Sequence, residues 1–163
     1  MGFRTTISYL SDVELELAKS ESNILFEPTP HGAFMQDTGI SILVVEDEQP
    51  IRSLLTEILS PRFQCANAES AGEAIRLMES KFFHLALVDV GLPGMSGVSL
   101  CRLIVNRSPR TVIIVISGKT DTQSISEAMK AGAADYVTKP FNLSGILMTV
   151  ERALERYLPG AVA

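Results

Sequence analysis

The chain has 163 residues, 46% of them apolar, which suffices for one domain with a real core. Its net charge of −5 and the lack of any basic patch exclude direct nucleic-acid binding, and no apolar run approaches the roughly 18 residues of a membrane span. The N-terminus lacks the basic-then-apolar pattern of a secretory signal, and two scattered cysteines, Cys65 and Cys101, exclude a metal–thiolate centre, so a cytoplasmic protein with both thiols as small buried hydrophobes is expected.

Residues 1–39 carry most of the acid excess: Asp12, Glu14, Glu16, Glu21, Glu27 and Asp37 against Arg4 and Lys19. Ser11-Asp12-Val13-Glu14 fits a capping box with Leu10 and Leu15 as a hydrophobic staple, which predicts a helix of about two turns ending near Lys19. Pro28, Pro30 and Gly32 then mark 21–39 as a linker. Two expectations compete for this N-terminal extension. Leu10, Val13, Leu15 and Leu17 dock on the output face of the same chain or of a second copy, which would build a homodimer. Otherwise the segment is an acidic extension, or lies ahead of a true start at Met35.

From Ile40 the pattern alternates. Apolar, strand-like runs at 41–45, 63–67, 84–89, 111–116 and 134–138 are each followed by a helix-like segment, at 49–60, 70–79, 97–106, 121–131 and 142–157. Pro50 fits a first helical turn, Ser96, Asp121 or Thr120, and Asn142 fit N-caps, and Gly132 fits the position just past a helix. Leu143, Ile146, Leu147, Val150 and Leu154 give the last helix one apolar face. Met78, Met129 and Met148 fall in helical patterns and are expected to pack. Five βα units predict an α/β fold: an open, doubly wound, five-stranded parallel sheet of order 2-1-3-4-5, flavodoxin-like, over residues 40–158, with 159–163 as a tail. Five strands are too few for an eight-stranded barrel.

Polar groups follow four of these runs. Glu46 and Asp47 follow Ile42–Val45, Asp89 ends Leu85–Val88 ahead of Val90-Gly91-Leu92-Pro93, Ser117 follows Val112–Ile116, and Lys139 follows Tyr136-Val137-Thr138. Open α/β sheets bind their ligands at the carboxyl ends of the strands. Three carboxylates gathered there repel one another and call for a cation, and a hard divalent ion such as Mg²⁺ (or Mn²⁺) is the usual solution. One Asp can then act as nucleophile toward a phosphoryl group, with a lysine and a hydroxyl to receive the phosphate oxygens. Taken singly, each motif has a plainer account: a solvated acidic loop at 46–48, a surface lysine, a turn at Ser117-Gly118, and a half-buried tyrosine on an edge strand. Their joint occurrence at four strand ends favours a site. His31 and His84 have no partners at ligand spacing and are taken as structural or incidental.

The stretches ILVVEDE (42–48), LVDVGLPGMSG (87–97), VISG (115–118) and DYVTKPF (135–141) resemble a response-regulator receiver domain of two-component signalling, over about three quarters of the chain. The resemblance implies transfer of a phosphoryl group from a histidine kinase or histidine phosphotransfer protein to Asp89. It implies Mg²⁺ held by Glu46, Asp47, Asp89 and the Gly91 carbonyl, Ser117 and Tyr136 as a switch pair, Lys139 as the phosphate-contacting cation, and a cis peptide before Pro140. Glu46 stands where Asp is commoner, Ser117 where Thr is, and His84 where Asp is frequent. A phosphorylation-controlled switch is therefore expected. A degenerate docking module is the alternative, and a phosphatase working through an aspartyl phosphate is disfavoured because Gly91 leaves no second acid two residues after Asp89. Few residues follow Leu158, so either a stand-alone regulator acting by protein contact or a piece of a longer regulator is expected. The downstream partner is not legible.

Overall fold

The computed structural model describes residues 39–160. The helix expected at 11–19, the linker after it, docking through Leu10 to Leu17, and the last residues of the tail lie outside the described residues. The elements run β1 (Ser41–Val45), α1 (Gln49–Leu59), β2 (Gln64–Ala68), α2 (Ala71–Ser80), β3 (Leu85–Asp89), α3 (Gly97–Arg107), β4 (Val112–Ser117), α4 (Thr122–Lys130), β5 (Asp135–Thr138) and α5 (Leu143–Tyr157). The strands form one parallel sheet of order β2-β1-β3-β4-β5, as the alternation predicts.

Strand periodicity divides the core even where every residue is apolar. Leu43, Val45, Ala86, Val88, Ile113 and Val115 face one way, against Ala71 and Ala74 of α2, Leu100, Cys101 and Ile104 of α3 and Ala128 of α4. Ile42, Val44, Leu85, Leu87, Ile114 and Ile116 face the other way, against Leu55 and Leu59 of α1 and Ile146, Val150 and Leu154 of α5. The three central strands are buried along their whole length, whereas the edge strands β2 and β5 are half-exposed. That difference explains the polar interruptions Gln64 and Asn67 in β2.

Helix ends follow side-chain chemistry. The oxygens of Ser70, Ser96, Asp121 and Asn142 accept the backbone N–H of Glu73, Ser99, Ser124 and Gly145, so four helices begin on a polar cap. Each cap residue is extended, which is why α2, α4 and α5 start one residue later than their patterns predict. Gly132 has φ +103° and closes α4, and a Cβ there would meet the Val105 side chain as well. Two packing expectations fail. Met129 and Met148 are 44% and 67% exposed, because each falls on the solvent side of its helix, and only Met78 packs against the core. Cys101 is buried but Cys65, on the edge strand, is only half-buried; burial pushes the Cys101 thiol up to about 12 and the Cys65 thiol up to about 11.

His84 ties the amino ends of β1 and β3 together. Its Nδ1 accepts the Ser41 backbone N–H at 3.1 Å and lies 3.1 Å from Ser41 Oγ, which in turn donates to the Phe82 carbonyl. Burial lowers its pKa, and the charges of Arg110 and Lys81 lower it further. The folded state thus disfavours the imidazolium that the unfolded chain forms near its ordinary pKa of about 6.5. Stability from this contact is present above that pH and is lost as pH falls below it. Thermal unfolding from pH 7.5 down to 5 is expected to show a decline in the native chain that is shallower in His84→Asn, whose amide oxygen can still accept from Ser41. Equal declines would remove His84 as the cause.

Candidate functional site

The strand order reverses direction at β1, so the carboxyl ends of β1 and β3 lie side by side with loops leading away from each other. This is the place where sheets of this winding bind ligands. Parallel register sets Val45 beside Val88 and Asp89 beside Ile116, so Glu46, Asp47, Asp89 and Ser117 emerge at one edge. Lys139 is brought to the same edge by its backbone N–H, which donates to the Ser117 carbonyl at 2.8 Å.

Glu46, Asp47 and Asp89 each offer a carboxylate oxygen, all within 4.8 Å of one another. Glu46 is 1% exposed and Asp89 5%, while Asp47 is exposed. Lys139 Nζ sits between the two buried acids, 2.8 Å from Glu46 Oε2 and 3.1 Å from Asp89 Oδ1, with Glu48 Oε1 at 3.9 Å. Burial pushes the Glu46 carboxyl up, the hydrogen bond from Lys139 pulls it back, and the charge of Asp89 pushes it up again, so it ends above the usual carboxylate range. For Lys139 burial alone would lower the pKa, but the hydrogen bond to Glu46 and the charge of Asp89 outweigh it and hold the ammonium above its ordinary value.

One lysine therefore faces three acids. The donor set is all oxygen, three of its members are carboxylates, and one of them is exposed, so water can reach it. Those are the properties of a hard divalent-cation site, and they fit Mg²⁺ better than a soft metal. Gly91 lies against this cluster: a Cβ at that position would stand 3.0 Å from Asp89 Oδ2. A larger residue there would crowd the Asp89 oxygen that Lys139 does not contact.

Ser117 is buried at the end of β4, where its Oγ accepts the Lys119 backbone N–H at 3.1 Å. Tyr136 is half-buried on β5 beside Val115, and its hydroxyl donates to the Lys119 carbonyl at 2.8 Å. Both hydroxyls thus fasten on one loop residue. The Lys139–Pro140 peptide is cis. The structure brings Glu46, Asp47, Asp89 and Lys139 into one cluster, with Gly91 against Asp89, while Ser117 and Tyr136 meet at Lys119. Two further residues shape it that the sequence pattern does not single out. Arg52, on α1, donates to the carbonyls of Glu46 and Asp47. Gly97, the first residue of α3, lies so close to the Asp89 backbone that a Cβ would stand 2.0 Å from the Asp89 carbonyl oxygen. Neither contact has a local sequence signal, since both depend on how a helix approaches a loop or strand.

Residues 42–151 match the model of the response regulator receiver domain. A cyclic di-GMP phosphodiesterase of Thermotoga maritima is 34% identical over 116 residues, covering 71% of this chain and 31% of that protein. The DNA-binding transcriptional regulator NtrC of Escherichia coli K12 is 32% identical over 117 residues, covering 71% of this chain and 25% of that one. Among solved structures, the BeF3-activated receiver domain of DrrB, from Thermotoga maritima, superposes with a TM-score of 0.68 at 34% identity, over 72% of this chain and 98% of that one. The match thus spans only a quarter to a third of the length of the curated relatives.

Proposed function

This chain belongs to the response-regulator receiver family, whose members are phosphorylation-controlled signalling switches, and on that premise we propose that Asp89 is the residue that takes the phosphoryl group. The observation that carries this is the pairing of a buried carboxylate with a lysine at 3.1 Å, two further acids within 4.8 Å, and a free flank at Gly91. The donor is a phosphohistidine of a histidine kinase or histidine phosphotransfer protein. An Asp89 oxygen attacks phosphorus, the P–N bond breaks with its electron pair going to the imidazole nitrogen, and an acyl phosphate forms. Mg²⁺ (or Mn²⁺), held by Glu46, Asp47, Asp89 and the Gly91 carbonyl, would supply positive charge against the phosphoryl oxygens. The Lys139 ammonium adds to that charge and the Ser117 hydroxyl donates to a phosphoryl oxygen. With no second acid at position 91, the chain is suited to switching rather than to turnover of foreign substrates. Work in the cytoplasm and output by protein contact complete the proposal. The two relatives join this domain to different outputs, so the output is not carried over from them.

The switch runs through Lys119. Drawing the Ser117 Oγ toward a phosphoryl group takes it from the Lys119 N–H, and the loop residue that also holds the Tyr136 hydroxyl is then free to move. Phosphorylation biases this two-state element and changes the surface of α4, β5 and α5. Three variants test the scheme. Asp47→Ala should weaken Mg²⁺ binding by about tenfold or more in a calorimetric titration. Ser117→Ala should still be phosphorylated by acetyl phosphate but should lose most of the amide shift changes in α4 and β5, and Tyr136→Phe should lose part of them. Native-like shift changes in Ser117→Ala would overturn the switch, and unchanged Mg²⁺ affinity in Asp47→Ala would overturn the metal site.

A further inference from the structure

We infer that Arg52 is a positioning residue for the divalent-cation site, which it serves by clamping the backbone of the acidic loop. The inference rests on the metal site proposed above. Glu46, Asp47 and Glu48 are three consecutive acids, the first two clustered with Asp89, and their mutual repulsion tends to open the loop that carries them. Lys139 counters this from the carboxylate side. Arg52 counters it from the main-chain side: its Nη1 donates to the Glu46 carbonyl at 2.6 Å and to the Asp47 carbonyl at 3.1 Å. Its side chain is only 16% exposed, and its Nη2 lies 3.9 Å from Glu69 Oε2.

The rest of the clamp is already fixed. The Arg52 backbone N–H donates to the Glu48 carbonyl in the first turn of α1, so the side chain folds back over the loop that precedes its own helix. The Glu46 N–H donates to the Ala68 carbonyl at the end of β2, and the Glu48 N–H donates to Glu46 Oε1. The peptide groups on both sides of Asp47 are therefore held in place, which fixes the backbone from which the Glu46 and Asp47 carboxylates project. A guanidinium is suited to this because it is always charged and planar, so the two hydrogens of Nη1 reach the two carbonyls in fixed directions while Nη2 turns toward Glu69. A group that orients ligands without touching the metal typically controls metal affinity by about 10- to 100-fold.

The test separates positioning from bracing. Arg52→Met, Arg52→Lys and Thr56→Val are titrated with Mg²⁺ by calorimetry, and their thermal midpoints are measured without it. Thr56 lies one turn further along α1, where its Oγ1 stands 2.8 Å from the Arg52 carbonyl and 2.7 Å from Asn67 Oδ1 and donates its one hydrogen to either, so its loss loosens the helix without touching the loop carbonyls. Arg52→Met is expected to bind Mg²⁺ about 10-fold or more weakly, Arg52→Lys to lie between it and the native chain, and Thr56→Val to lose stability with native Mg²⁺ affinity. Should Arg52→Met not fold, Arg52→Lys carries the test: weakened binding supports the inference and native binding overturns it. Loss of affinity in Thr56→Val equal to that in the Arg52 variants would also overturn it, since bracing alone would then account for the effect. A native chain that binds no Mg²⁺ would instead defeat the metal site itself, and with it this inference.

Discussion

Asp89→Asn is expected to abolish phosphorylation while leaving the fold as stable as before or more so. The native chain, given acetyl phosphate and Mg²⁺, should gain the mass of one phosphoryl group, and hydroxylamine should remove it. The amide of Asn keeps the shape of the carboxylate but has no anionic oxygen to attack phosphorus. The stability side follows from the charge balance. Lys139 is shared between Glu46 and Asp89, and the Asp89 charge helps push Glu46 above its usual range. Removing the Asp89 charge leaves a matched Lys139–Glu46 pair and relieves that repulsion, worth about 1 kcal/mol or less in stability. Loss of reaction with a gain in stability is the signature of a site whose strain serves function. Native-like phosphorylation of Asp89→Asn would assign the phosphoryl group elsewhere. A native chain that takes up none would favour a docking module without phosphorylation.

Much of this site is legible in the sequence because its chemistry is written at strand ends. An apolar run that stops at Asp89 or Ser117 needs no tertiary information to be placed at a sheet edge, and five such runs in alternation with helices leave few topologies. The central strands make this easy. β2 is the hardest element to see, because an edge strand tolerates Gln64 and Asn67 and so breaks the apolar pattern. Helical spacing misleads at Met129 and Met148: it places residues on a face but does not say that the face is covered. Arg52 escapes notice for a different reason. An arginine on the first turns of a helix is ordinarily a solvated charge, and only the return of the β1–α1 loop over it puts two carbonyls within reach. His84 lies away from the acidic cluster, as its lack of partners at ligand spacing implies, yet its bond to the Ser41 N–H makes it a ring acceptor in a strand-to-strand tie rather than an idle residue.

Gly97→Ala is expected to cost about 3 kcal/mol or more of unfolding free energy and to impair phosphorylation with it. Gly97 is the first residue of α3, just after the Ser96 cap, and its N–H donates to the Val90 carbonyl at 3.3 Å. A Cβ there would lie 2.0 Å from the Asp89 carbonyl oxygen and 2.8 Å from both the Asp89 carbonyl carbon and the Val90 Cα. These are backbone atoms, which cannot rotate aside as a side chain can, so α3 must move away or β3 must shift at its reactive end. Overpacking of a tight contact usually costs about 1–3 kcal/mol, and backbone against backbone belongs at the top of that range. Gly72 supplies the contrast. It lies in the first turn of α2 with nothing within 4 Å of its would-be Cβ, so Gly72→Ala should stabilise by up to about 1 kcal/mol through helix propensity alone. Urea unfolding of the two variants measures this difference directly. Acetyl phosphate labelling of the folded fraction of Gly97→Ala then shows whether the displacement reaches Asp89. Equal and small effects in both variants would mean that α3 can retreat without disturbing the strand end, and that the glycine opening the helix is a packing convenience and not a condition for placing the phosphoacceptor.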